Sequence, residues 1–107
     1  MNDTTQTIDV TSPYDGSLIK TIPIQTQAQA GDMLQRAYDA FKDRSQWLEP
    51  YQRIEILKKL GKLVEAEQDD FALLIAKEGG KPLMDAKVEV TRAIDGIYLA
   101  IKELAHV

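Results

Sequence analysis

The sequence contains no cysteine, which removes a disulfide framework, a thiolate metal site and a thiol nucleophile together. Its one histidine, His106, stands next to the last residue. Neither a histidine metal cluster nor a Ser-His-Asp arrangement can be assembled from such a chain. No apolar run approaches the roughly 18–20 residues that a membrane span needs. The start, Met-Asn-Asp-Thr-Thr-Gln-Thr, has neither the basic opening nor the apolar stretch of a signal peptide, so a cytoplasmic protein is expected. Positive charge is also scarce: 13 Lys+Arg face 17 Asp+Glu, a net charge of -4 with no basic run. Phosphate backbones are bound by clustered Lys and Arg, so no nucleic-acid partner is expected. Carboxylate chemistry, lysine chemistry or no chemistry is what remains.

With 107 residues, 44% of them hydrophobic and 28% charged, the chain has the balance of one soluble domain. Residues 1–6 are polar and read as a disordered N-terminus. Ile8 and Val10, the turn Pro13-Tyr14-Asp15-Gly16, and the run Leu18, Ile19, Ile22, Ile24 predict a hairpin of about 7–24. Pro23 places the second strand at an edge. Two strands are marginal in water, so this hairpin needs something to lean on.

Four amphipathic helices are predicted next, over about 27–44, 50–67, 69–79 and 82–107. Thr26 and Gln29 make a capping box for the first, whose apolar stripe is Ala30, Met33, Leu34, Ala37, Tyr38 and Phe41. Pro50 suits the first position of the second, where a missing N–H costs nothing. Asp69 and Asp70 are read as caps of the third, and Gly79-Gly80 as its left-handed stop. Pro82 opens the fourth, with a seam of Leu83, Ala86, Val90, Ala93, Ile97, Ile101 and Leu104. No stop signal follows Leu104, so the chain reads as cut within a longer protein.

Few residues invite a chemical role. Glu78-Gly79-Gly80-Lys81-Pro82 is not a phosphate loop: Ile75 stands where a glycine is required and Pro82 where Ser or Thr is required. Lys81 in an exposed turn lacks the desolvation that would make it a nucleophile. Glu89, near the apolar seam, suits either a pairing with Arg92 or an oxygen ligand for a cation. Trp47 and Tyr14 read as packing groups. No catalytic residue can be assigned, and a structural or binding role is expected.

Four blocks taken in order nevertheless carry a resemblance. They are Ser12-Pro13-Tyr14-Asp15-Gly16 with Ile22-Pro23; Ala37 and Phe41 before Trp47; Arg53-Ile54 through Leu57; and Glu78-Gly79-Gly80-Lys81-Pro82-Leu83 with Ala86, Glu89 and Arg92-Ala93. In this order and spacing the chain resembles the amino-terminal segment of the NAD(P)-dependent aldehyde dehydrogenase superfamily. The resemblance implies an α/β parent fold, of which this mostly α chain of hairpin and helices is an incomplete portion of the dinucleotide-binding domain. It implies that the parent oxidises an aldehyde to a carboxylic acid through a cysteine thiohemiacetal and hydride transfer to NAD or NADP. It implies partners in the remainder of the dehydrogenase chain and in a homo-oligomer. By the same resemblance, Glu89 with the carbonyls of Val10 and Thr11 would be part of a monovalent cation site. These residues include no cysteine and no G-x-G pair, so this chain is expected to be inactive and to bind no nicotinamide cofactor itself. The alternative reading is a free-standing helical interaction module.

Overall fold

The computed structural model describes residues 6–106. The expected disordered stretch lies outside the described residues except for Gln6, which is paired: its carbonyl accepts the Ile24 N–H at 2.8 Å. Strands β1 (Thr7–Thr11) and β2 (Leu18–Pro23) form the antiparallel hairpin, with Ile8 opposite Ile22 and Val10 opposite Lys20. The register slips after Val10, where Thr11 faces Leu18 and Ile19 is the extra residue. Gly16 takes φ 74° in the turn. There the Asp15 carboxylate accepts the Ser17 hydroxyl at 2.7 Å and the Ser17 N–H at 3.0 Å. Those bonds, the hydroxyl's first, hold the Asp15 carboxyl below its usual range.

Four helices follow: α1 (Gln27–Lys42), α2 (Pro50–Ala66), α3 (Gln68–Gly79) and α4 (Leu83–Leu104). The Thr26/Gln29 capping box is present, and Glu49 and Gln52 make a second one ahead of Pro50. α1 stops two residues short of the expected Arg44. Asp43 leaves the helical region and its carboxylate takes the Ser45 hydroxyl at 2.6 Å and the Gln46 amide at 2.7 Å, starting a 3₁₀ turn over Arg44–Gln46. Asp69 and Asp70 are not caps. α3 begins at Gln68, so both lie inside its first turn, where they favour the positive end of the helix dipole. α4 starts at Leu83 with Pro82 as its N-cap and ends at Leu104, not at 107. Past Leu104 the Ala105 and His106 N–H groups tighten onto the Lys102 and Glu103 carbonyls, and Val107 lies outside the described residues.

The core is thin. Ala72, Ala86, Val90 and Ile94 are its buried residues, with Val64, Ile75, Ala76 and Tyr98 packed half-exposed around them. The helix α4 therefore turns Ile94 inward and leaves Ala93 exposed, a correction to the expected seam. Tyr98 explains the shift. Its ring lies over Gly61 of α2, where a Cβ would stand 3.1 Å from the ring carbon. A glycine inside α2 weakens that helix but lets α4 approach closely.

Tyr98 also yields a pH prediction. A hydrogen bond with the Glu65 carboxylate, then burial and the carboxylate's charge, raise the phenol's pKa above the ordinary 10.0. A group whose folded pKa is raised contributes stability that is full below its unfolded pKa and is lost as pH rises through the folded one. Loss of stability as the pH rises past the ordinary phenol range should therefore be shallower in Tyr98→Phe than in wild type. Urea midpoints followed by circular dichroism across that range check it; parallel slopes would refute the linkage.

The molecule is a slab, 48 × 47 × 17 Å, with a radius of gyration of 18.5 Å. A compact domain of this length has a radius of about 13 Å. Its accessible surface is 8995 Å², whereas a compact monomer of this mass exposes about 6,000 Å². Roughly 3,000 Å² is thus left open that a self-contained domain would cover.

Candidate functional site

The sequence marks two motifs, the Pro13–Gly16 turn and the Glu78–Pro82 turn, and the fold brings them together. Gly80 ends α3 in the left-handed region at φ 64°. The Pro13 ring presses on it, so that a Cβ at Gly80 would lie 2.6 Å from the proline Cγ. Lys77, at the end of α3, shares a cleft with Ser12, Asp15 and Ser17 of the hairpin turn. The hairpin is thus seated on the α3–α4 corner.

Lys81 follows Gly80, and its ammonium donates to Glu89 Oε1 one and a half turns into α4. Glu89 does not pair with Arg92, as helical spacing allowed. The bend at Gly80 and Pro82 brings Lys81 back over the first turns of α4, a reach that sequence spacing alone does not reveal. The ammonium thus already engages one oxygen of that carboxylate. Val10 is half-buried and Thr11 exposed on β1, Thr11 two residues from the Pro13 contact. Among the described residues no group of three or more His, Cys, Asp and Glu side chains is placed to hold a metal ion.

Below Glu89 an apolar groove of about 260 Å³ runs between α3 and α4, lined by Phe71, Ile75, Val90, Ala93 and Ile97. Residue spacing put Ile97 on the apolar stripe of α4; that the stripe opens into a groove walled by Phe71 and Ile75 is a tertiary fact. A second apolar surface covers α1, where Leu34 is 73% and Phe41 62% exposed. Trp47 closes the end of that helix. Its Nε1–H donates to the Phe41 carbonyl at 3.0 Å, and its ring lies 5.5 Å from Phe41's. Trp47 is a packing group, as its position suggested; Tyr14, expected to pack as well, is instead 93% exposed at the tip of the hairpin turn. The sequence contains no cysteine, and among the described residues no glycine-rich turn joins a strand to a helix.

The sequence model of the aldehyde dehydrogenase family matches residues 1–107. This chain belongs to the aldehyde dehydrogenase family. A lactaldehyde dehydrogenase of Methanocaldococcus jannaschii is 31% identical over 93 residues, which are 87% of this chain and 20% of that protein. A malonate-semialdehyde dehydrogenase of Bacillus pumilus is 34% identical over 98 residues, 92% of this chain and 20% of that one. The fold agrees. Aldehyde dehydrogenase 21 from Physcomitrella patens, solved in complex with the reaction product succinate, superposes with a TM-score of 0.87 at 27% identity. The match covers 96% of this chain and 21% of that one. A glyceraldehyde-3-phosphate dehydrogenase from Methanocaldococcus jannaschii, complexed with NADP, gives 0.82 at 29% identity over 94% of this chain and 22% of its own. The chain spans about a fifth of the length of the dehydrogenases it matches. Among the described residues of this family member, no helix is long and apolar enough to cross a membrane.

Proposed function

We propose that these residues act as a non-catalytic limb of an NAD(P)-dependent aldehyde dehydrogenase, a portion of its dinucleotide-binding domain that packs against the rest of the enzyme. The carrying observation is the surface left open: apolar faces on α1 and along the α3–α4 groove, on a chain whose described residues bury a small cluster of Ala72, Ala86, Val90 and Ile94. In this reading the parent oxidises an aldehyde to an acid through a cysteine nucleophile and hydride transfer to NAD or NADP, using groups these 107 residues do not contain. The limb's own contribution is positioning. Pro13 on Gly80 and Lys81 on Glu89 lock hairpin, α3 and α4 into one corner. The cation reading of Glu89 with the Val10 and Thr11 carbonyls belongs to the same proposal, with Lys81 as the competitor for the carboxylate.

Two measurements test it. The purified chain mixed with NAD+ or NADP+ and a panel of aldehydes should give no absorbance of reduced cofactor above the no-protein control. It should also bind a hydrophobic dye strongly, because its apolar faces are wet. Turnover, or a compact dye-silent chain that melts in one sharp transition, would overturn the proposal. The second outcome would favour the free-standing module.

A further inference from the structure

We infer that the hairpin turn carries a modification site: the Asp15 carboxyl closes on the Gly16 nitrogen to a succinimide that reopens as isoaspartate, and the change releases the hairpin from its seat on Gly80. Aspartate is followed by glycine twice in this sequence, at Asp15-Gly16 and at Asp95-Gly96. Ring closure needs the backbone nitrogen of the following residue to reach the carboxyl carbon, and glycine brings no Cβ to crowd that approach. Both pairs are exposed to water. Their backbones separate them.

Asp95 and Gly96 lie inside α4. There the Gly96 N–H belongs to the helical ladder, bonded four residues back, and freeing it means opening the helix interior. Asp15 and Gly16 lie in the loop between β1 and β2. Gly16 has φ 74°, and nothing stands within 4 Å of where its Cβ would be, so the ring can form in open space. The Asp15 carboxylate accepts the Ser17 N–H and hydroxyl, a turn that folds it along the chain past the Gly16 peptide rather than out into solvent. One bond opposes the attack: the Gly16 N–H donates to the Ser12 carbonyl at 2.8 Å. A lone bond at an exposed hairpin tip belongs to the part of a structure that opens most readily.

In the first step the Gly16 nitrogen bonds to the Asp15 carboxyl carbon in its neutral form. That carbon loses its hydroxyl, which leaves with the N–H proton as water. Solvent water then opens the ring. Attack at the side-chain carbonyl restores aspartate. Attack at the main-chain carbonyl leaves the backbone running through the side-chain carbons, one atom longer, with the α-carboxylate as the new side group. The product has the composition of the starting chain, and no oxidant or cofactor takes part. The shortened carboxylate no longer reaches Ser17 in the same turn, and the lengthened loop no longer presses Pro13 onto Gly80.

The test ages the intact chain in mildly acidic buffer, where more of the carboxyl is neutral. Labelling with an isoaspartyl methyltransferase counts the product, and electron-transfer fragmentation locates it. Isoaspartate should build up at Asp15 at least about tenfold faster than at Asp95, a barrier difference of about 1.4 kcal/mol. Asp15→Glu keeps the charge but needs a larger ring, and should lose the label at this turn alone. Aged wild type should unfold at lower urea than fresh protein, and Pro13→Ala, already without the contact, should lose less on ageing. Equal build-up at Asp95, or a label that survives in Asp15→Glu, overturns the inference. So does an aged chain that carries the product and is as stable as fresh protein, since the turn then does not hold the seat. None of these outcomes bears on aldehyde turnover, so the dehydrogenase reading stands or falls separately.

Discussion

Gly80→Ala is expected to destabilise the chain by about 3 kcal/mol, more than an exposed glycine usually commands. Two costs add. A non-glycine residue at φ 64° loses about 1–2 kcal/mol to the left-handed conformation. The new Cβ also falls 2.6 Å from Pro13 Cγ, and forcing atoms into occupied space costs about 1–3 kcal/mol. A double-mutant cycle separates them. In a Pro13→Ala background the Cγ is gone and the remaining Cβ would stand at an ordinary 3.4 Å. There Gly80→Ala should cost only its conformational share. Urea midpoints of the four proteins decide it; equal losses in both backgrounds would mean that the hairpin does not seat on Gly80.

That contact also shows what could be read from sequence and what could not. Gly80 as a left-handed helix stop was legible, since glycine after an apolar-periodic stretch is a local signal. Gly16 in its turn, the Thr26 box and Pro50 were legible for the same reason. Their causes lie within four residues. The seating of Pro13 on Gly80 joins positions 67 residues apart, and no local pattern encodes it. The Lys81–Glu89 pair escaped because helical spacing speaks only of residues on the same helix, and Lys81 lies outside α4. Asp69 and Asp70 were placed at a cap because aspartate favours both a cap and a first turn. The early end of α1 depended on Asp43 preferring the Ser45 and Gln46 donors to one more helical turn.

The seam of α4 was misread for a physical reason as well. Ala93 and Ile94 are adjacent, both apolar, and both compatible with a stripe running through Val90 and Ile97. What selects Ile94 is the approach of Tyr98 to Gly61, which rotates α4 toward α2. The groove beside it then uses Ala93 as rim rather than core.

Adjacent substitutions turn that rotation into a measurement. Ile94→Asp should be the more damaging by far, at about 4 kcal/mol or more. Ile94 is 8% exposed within the cluster of Ala72, Ala86 and Val90. The side chains clustered with it from α2, α3 and α4 are Val64, Ala72, Ile75, Ala76, Ala86, Val90 and Tyr98, none of them a cation that could pair with a new carboxylate. An unpaired charge in such a site has to be taken out of water with nothing in return. In a core this small the loss approaches the whole stability expected of a domain of this length, about 5–15 kcal/mol, and the α2–α3–α4 packing should come apart. Ala93→Asp introduces the same group one residue earlier, where the side chain reaches solvent, and should change stability by no more than about 0.5 kcal/mol in the isolated chain. Circular dichroism melts of the pair distinguish the two rotations of α4. If Ala93→Asp unfolds the chain and Ile94→Asp spares it, the seam runs where spacing alone put it, and Tyr98 does not set the crossing of α2 and α4.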